Sequence, residues 1–260
     1  MKRSIIVVLL LMAPVLNAAV HTEMVTYKHG GAMLEGYLAY DDAIKVRRPG
    51  VLIGHEWMGL NDYAKKRAEQ LAQMGYVAFA LDVYGKGQNP IDAEGAGKLS
   101  GFYTSDRTLL RGRANAGLKV LKNQPLVDPK KIAAIGYCFG GTTVLELARS
   151  GADVVGAVSF HGGLSTPNPA DAKKIRGRVL VLHGADDPYV PDTEVAAFED
   201  EMRKAKVDWE LIKYSGAVHG FTNPSGGKDP SKGYAYNEKA DKRSWAAMKQ
   251  FFDEIFSGKH

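Results

Sequence analysis

Cysteine is almost missing from this chain. Cys138 is the single one in 260 residues, so no intrachain disulfide can form. A chain of this length can bury a sufficient core without covalent staples. Long apolar runs are missing too. The longest spans residues 5–16, is interrupted only by Pro14, and falls short of the roughly 20 residues that a membrane-crossing helix needs. Basic residues form no long run and no aromatic-interleaved patch, so no footprint for nucleic acid is present. No His-Glu-x-x-His occurs, and a metal is not expected. The glycine-rich stretch at 136–141 is followed by no Gly-Lys-Ser/Thr, and its glycine spacing does not fit a dinucleotide fingerprint. No cofactor is expected. There is no internal repeat.

What is present begins with the N-terminus. Lys2 and Arg3 precede the apolar run, and the small residues Ala18 and Ala19 follow it. This is the layout of a secretory signal peptide over residues 1–19. Cleavage after Ala18 or after Ala19 is open, and an uncleaved anchor is the alternative. No cysteine lies near the junction to carry a lipid. Removing Lys2 and Arg3 lowers the formal charge from +5 to +3. The mature chain, residues 20–260, is expected to be secreted or periplasmic with no stable membrane anchor. A free thiol is unusual in an oxidising compartment, which suggests that Cys138 is used.

From residue 20 onward, short apolar runs alternate with amphipathic segments. Residues 51–53, 76–81, 132–135, 154–158 and 179–182 read as strands buried on both faces of a parallel sheet. Between them, Ala64/Ala68/Leu71, Leu110/Ala114/Leu118/Leu121, Val195/Phe198/Met202 and Trp245/Met248/Phe252/Ile255 recur at helical spacing. Asn61 or Asp62 suits the first cap and Gly75 the first stop, with Ser105 as a cap for the second helix. Residues 24–27 and 33–40 predict a hairpin turning at Gly30-Gly31. The stretches 85–101 and 224–233 read as loops. The expectation is one α/β domain, with a mostly parallel sheet covered by helices on both sides.

The sharpest local signal is Gly136-Tyr137-Cys138-Phe139-Gly140-Gly141, after a predicted strand and before a predicted helix. Gly-x-nucleophile-x-Gly in that setting is the nucleophile elbow, where a tight turn leaves room only for small neighbours. The helix N-terminus favours a thiolate and a developing oxyanion. An inert buried cysteine in a strand-to-helix turn is the plain alternative. Chain order favours the first reading. Asp186-Asp187-Pro188 follows the strand at 179–182, and His219 follows a strand at 209–214, which is the order nucleophile, acid, histidine. Asp187 is preferred to Asp186. Gly54-His55-Glu56-Trp57 follows the strand at 51–53, where a second oxyanion amide belongs. The backbone N–H groups of Trp57 and Phe139 are the candidate donors. His55, His161, His183 and His219 all follow predicted strands and could cluster as metal ligands, but their local spacing fits no metal motif.

These segments, GYCFGG, IGHEWMGLN, HGADDPYVP and GAVHGF, resemble the dienelactone hydrolase (carboxymethylenebutenolidase) family across essentially the whole mature chain. The resemblance implies an α/β-hydrolase fold and a hydrolase of small carboxylic esters or lactones. It assigns Cys138 as nucleophile, His219 as base and acid, Asp187 as its orienting partner, and Glu56 as the carboxylate that restrains the resting thiol. One departure stands out. The family reads a substrate carboxylate with arginines, one of them four residues after the histidine, and here that place holds Asn223. Asparagine supplies no cationic fork. Arg107 or Arg111 would have to compensate. The alternatives are a thioesterase or amide hydrolase on the same residues, or a binding protein that keeps the fold.

Overall fold

The computed structural model describes residues 20–257, so the expected signal peptide lies outside the described residues. Eight strands form one sheet: β1 (Val20–His29), β2 (Ala32–Asp41), β3 (Arg48–Gly54), β4 (Val77–Ala80), β5 (Val127–Tyr137), β6 (Gly156–Phe160), β7 (Arg178–Gly184) and β8 (Trp209–Tyr214). Their spatial order is β1-β2-β4-β3-β5-β6-β7-β8. The hairpin β1–β2 turns at Gly30-Gly31 and joins β4 antiparallel, and every pairing from β4 to β8 is parallel. This is the mostly parallel sheet that the alternation of apolar runs leads one to expect, in the α/β-hydrolase arrangement that the resemblance implies.

Alternate residues of the central strands enter opposite cores. Val51, Ile53, Ala133 and Ile135 pack with Leu71, Met248 and Phe252 on one face, while Leu52 and Ala134 pack with Leu110, Leu121 and Val144 on the other. Both faces are buried, which is why these runs are apolar throughout rather than alternating. Each fully buried aliphatic side chain contributes about 1.5–3 kcal/mol of transfer free energy.

Among the described residues, six α-helices cover the sheet: α1 (Asp62–Gln73), α2 (Ala93–Ser105), α3 (Arg107–Lys122), α4 (Phe139–Arg149), α5 (Asp192–Ala205) and α6 (Glu238–Phe256). The side chain of Asn61 accepts from the Tyr63 and Ala64 amides to start α1, and Gly75 (φ 92°) follows its end. Two expectations need correction. The cap of α3 is Asp106, which accepts from the Leu109 amide at 2.9 Å; Ser105 closes α2 instead. The stretch 85–101 is not loop throughout, because α2 occupies its second half. Gly95, Gly97 and Gly101 dilute the helical pattern there, but Asp92 caps the start and Glu94 pairs with Lys98 one turn on. The stretch 224–233 is loop interrupted by two short 3-10 turns.

The topology fixes where a site can lie. The chain lays β4 on one side of β3 and then crosses to lay β5 on the other. At such a switch point, a crevice opens beyond the carboxyl ends of the strands. The loops carrying Glu56, Cys138, His161, Asp187 and His219 all leave that edge.

Candidate active site

Cys138 sits between the last residue of β5 and the first of α4, with φ 53° and ψ −118°. A β-carbon-bearing residue rarely holds such a backbone, so the surroundings must impose it. They do so by close approach. A Cβ on Gly136 would overlap the Gly140 carbonyl, and one on Gly140 would overlap the Gly54 carbonyl. Glycine at both positions lets β3, β5 and α4 converge beneath the thiol. The sulfur-bearing side chain stays partly accessible at the N-terminus of α4.

His219 and Asp187 arrive from separate loops. Asp187 follows β7, and its Oδ2 lies 2.8 Å from Nδ1 of His219, which follows β8. The other carboxylate oxygen of Asp187 accepts from the Tyr189 amide at 2.9 Å, which fixes its plane. Asp186 has a different task, accepting from the Gly216 amide at 2.9 Å to tie the two loops together. The His219 backbone is held on both sides, donating to Gly233 and accepting from Ala235. Burial alone would make the ring less basic. The neighbouring Cys138 and the Asp187 hydrogen bond outweigh burial and raise the pKa of His219 well above the ordinary histidine range.

Glu56 is buried on the loop after β3. Its Oε2 accepts from Asn223 Nδ2 at 2.5 Å, and Oε1 is buried without a hydrogen-bond partner. No hydrogen bond joins it to Cys138 among the described residues. Burial raises its pKa to about 7 against the pull of Asn223, His219 and Arg67. The Asn223 orientation is unambiguous. Its Oδ1 accepts from the Ser225 amide and hydroxyl, which leaves the NH2 to face Glu56. The position where the family resemblance places an arginine is thus occupied by the partner of Glu56. Neither of the other arginines replaces it. Arg111 is held by Glu146 at 2.8 Å and Asp171 at 2.6 Å, and Arg107 donates to the Ser165 carbonyl at 3.3 Å.

The loop after β3 is braced from below. The Val83 amide donates to His55 Nε2 at 3.2 Å, so the proton must be on Nδ1, which donates to the Glu56 carbonyl at 2.7 Å. Tyr84 donates to the Trp57 carbonyl at 2.9 Å. Among the described residues, no backbone carbonyl engages the amide of Trp57 or of Phe139.

Trp57, Cys138, Tyr189, His219 and Tyr234 line a cavity of about 270 Å³. Its walls are mostly aromatic carbon, and among the described residues no arginine or lysine lines it. Tyr234 carries no mark of this role in the sequence. It sits at the end of a stretch read as loop, and its ring packs across Gly220 and Gly226, a long-range placement with no local signal. The four histidines do not converge as a cluster. His55 braces the β3 loop, His219 meets Asp187, His161 turns towards the Cys138 amide, and His183 lies buried beside Asp187. Among the described residues, no group of three or more His, Cys, Asp or Glu is placed to hold a metal.

Comparison with known proteins gives a consistent result. A sequence model described as the dienelactone hydrolase family matches residues 34–256. A solved structure of a dienelactone hydrolase-like promiscuous phosphotriesterase from metagenomic libraries superposes with a TM-score of 0.88 at 44% identity, covering 92% of this chain and 99% of that one. A Bradyrhizobium protein named "Probable 2-oxo-3-(5-oxofuran-2-ylidene)propanoate lactonase" is 30% identical over 200 residues, 72% of this chain and 79% of its own. Protein usf of Aquifex pyrophilus is 30% identical over 205 residues, 77% of this chain and 87% of its own.

Proposed function

Because the chain belongs to the dienelactone hydrolase family, and is a carboxylic ester hydrolase by that membership, we propose that it cleaves small, neutral esters or lactones through a thioester on Cys138. The observation that carries this reading is the placement of His219, 2.8 Å from Asp187 and on the wall of the same small cavity as the elbow cysteine.

The reaction follows from the parts. The Cys138 sulfur attacks the carbonyl carbon, a C–S bond forms, and the carbonyl electron pair moves onto oxygen. The amides of Trp57 and Phe139 are the donors for that oxyanion. As the tetrahedral species collapses, the C–O bond to the leaving alcohol breaks and the His219 imidazolium gives it a proton. In a lactone, this alcohol stays tethered to the acyl group. Water then attacks the thioester, His219 takes its proton, and the thiolate departs. Asp187 keeps the ring oriented and supports its positive charge. Glu56 is assigned the restraint on the resting thiol, since a second carboxylate beside the His219–Cys138 pair opposes ionisation of the sulfur.

Neutral substrates are favoured because no arginine or lysine lines the cavity among the described residues, the positive charge of His219 is paired with Asp187 at 2.8 Å, Asn223 is committed to Glu56, and Arg107 and Arg111 are bound elsewhere. The leader-like N-terminus supports placing this activity outside the cytoplasm. The same neutral, aromatic walls favour a second reading suggested by the relative that is 44% identical: slow attack of the thiol on phosphorus in a neutral phosphotriester, expelling an alcohol and leaving a phosphorylated thiol for water to release.

The test is turnover of p-nitrophenyl acetate by wild type, by Cys138→Ala and by iodoacetamide-treated protein, with intact mass after rapid quenching. The expected result is an acetyl adduct on Cys138 and turnover lost in the other two samples. Turnover that survives both treatments would overturn the thiol mechanism. A p-nitrophenyl hemisuccinate control, with its carboxylate, is expected to react at least about tenfold more slowly, as one unfavourable charge contact of about 1.4 kcal/mol implies.

A further inference from the structure

His161 is a wholly buried titratable residue for which the reaction above has no task. It stands just past β6 with φ 40°, one of three non-glycine residues of positive φ among the described residues, and Cys138 is another. Its own amide donates to the Leu182 carbonyl at 2.8 Å, after which the backbone turns and the side chain crosses towards β5.

There the ring joins two groups. The Cys138 amide donates to Nδ1 at 3.2 Å, sharing its hydrogen with the Phe160 carbonyl at 3.0 Å. Nε2 lies 2.7 Å from Thr222 Oγ1. A backbone amide can only donate, so Nδ1 carries no proton and the ring is the Nε2–H tautomer. Thr222 is in turn 2.6 Å from the Tyr63 hydroxyl, which accepts from Arg67 Nε at 3.3 Å. Arg67 is anchored by Asp241 at 2.6 Å and by the Thr222 carbonyl at 2.9 Å. Each end of the chain is an obligate donor, so Nε2–H of His161 donates to Thr222 and Arg67 donates to Tyr63, while either hydroxyl can donate in the Thr222–Tyr63 bond. The imidazole also packs edge-to-face on His219, with centroids 5.4 Å apart, and on Phe221 at 5.0 Å.

We propose that His161 is a positioning residue for the hydrolysis: as a neutral Nε2–H ring, it holds the Cys138 amide, and so the strained elbow, while backing the imidazole of His219. The inference rests on the reading of Cys138 as nucleophile and His219 as base. A protonated His161 would turn an N–H against the Cys138 N–H and set a second positive charge beside His219. Burial, His219, Arg67 and His183 all push it the other way, keeping the ring neutral well below the ordinary histidine range.

Three variants and one spectrum test this. Asparagine tolerates positive φ, and its Oδ1 can stand where Nδ1 stands, so His161→Asn is expected to keep most of kcat. His161→Leu removes the acceptor and is expected to lower kcat by up to about a hundredfold, with KM within about twofold, the loss typical of a slightly misplaced reacting group. Thr222 does not line the cavity, yet Thr222→Val leaves the buried Nε2–H without its acceptor, loosens the ring and is expected to lower kcat in the same sense. Nitrogen-15 shifts of the wild-type imidazole are expected to show Nδ1 bare and Nε2 protonated across the active pH range. A protonated Nδ1 would overturn the proposal even if His161→Leu fails to fold. So would unchanged kcat and pH profile in both His161→Leu and Thr222→Val while wild type still acylates Cys138. If wild type never acylates Cys138, the functional reading fails first and takes this one with it.

Discussion

Replacing Glu56 by glutamine removes a charge that the fold buries at a cost. Its pKa rises from an ordinary 4.5 to about 7 on folding, so the folded state binds the proton more tightly than the unfolded chain. The favourable contribution is complete below pH 4.5 and fades as pH climbs through 7. Above that, Glu56→Gln is expected to be more stable than wild type by on the order of 3 kcal/mol, with the difference vanishing at low pH. Urea unfolding at a series of pH values measures it, and a constant difference across the range would contradict it. The same variant is expected to lose Cys138 to peroxide faster than wild type, and equal rates would refute the thiol-restraining role. Asp187→Asn acts on the opposite charge. With Asp187 gone, less holds the proton on His219, so the alkaline limb of kcat/KM is expected to move to lower pH. The rate should fall on the order of a thousandfold as ring orientation is lost. An unmoved limb would show that Asp187 does not support the imidazolium.

At the scale of elements, the elbow depends on glycine. Gly136→Ala puts a methyl group into the Gly140 carbonyl, where backbone rather than a flexible side chain must yield. A loss of more than about 3 kcal/mol is expected by thermal or urea unfolding, together with activity. This motif was legible because steric demand and sequence coincide: a strand run, two glycines at fixed offsets, then a helix. The strand at 209–214 was legible to the residue, as was the hairpin at Gly30-Gly31, because their patterns are local. α2 was not, since three glycines and a weak apolar stripe conceal a helix that Asp92 and packing against the neighbouring elements sustain. Asp187 could be preferred to Asp186 from the sequence, but only coordinates separate their partners. The Asn223–Glu56 contact joins residues 167 positions apart, and the Tyr234 ring crosses back over Gly220. No local pattern encodes either.

Across the whole molecule, stability and chemistry are carried by different regions. Between α3, α4 and α5, Arg149 is fully buried and pairs with Glu201 at 2.7 Å and Glu146 at 3.1 Å, while Arg111 joins Glu146 to Asp171. Arg149→Met strands the buried carboxylate of Glu201 and leaves Glu146 with Arg111 alone. It is expected to cost about 3–5 kcal/mol in urea, while kcat of the folded protein stays within about twofold, because none of these residues lines the cavity. A large fall in kcat would show coupling between the two regions. The proposed export has its own check: protein recovered from outside the cytoplasm should begin near residue 19 or 20 by N-terminal sequencing, and a chain retaining Met1 would argue against it. The solitary thiol has a practical consequence at this scale. With one sulfhydryl per polypeptide, and that one on the wall of the cavity, the moles of thiol reagent consumed equal the moles of free Cys138, which on the proposed mechanism are the competent centres. Any preparation can therefore be counted, molecule by molecule, before its rate is measured.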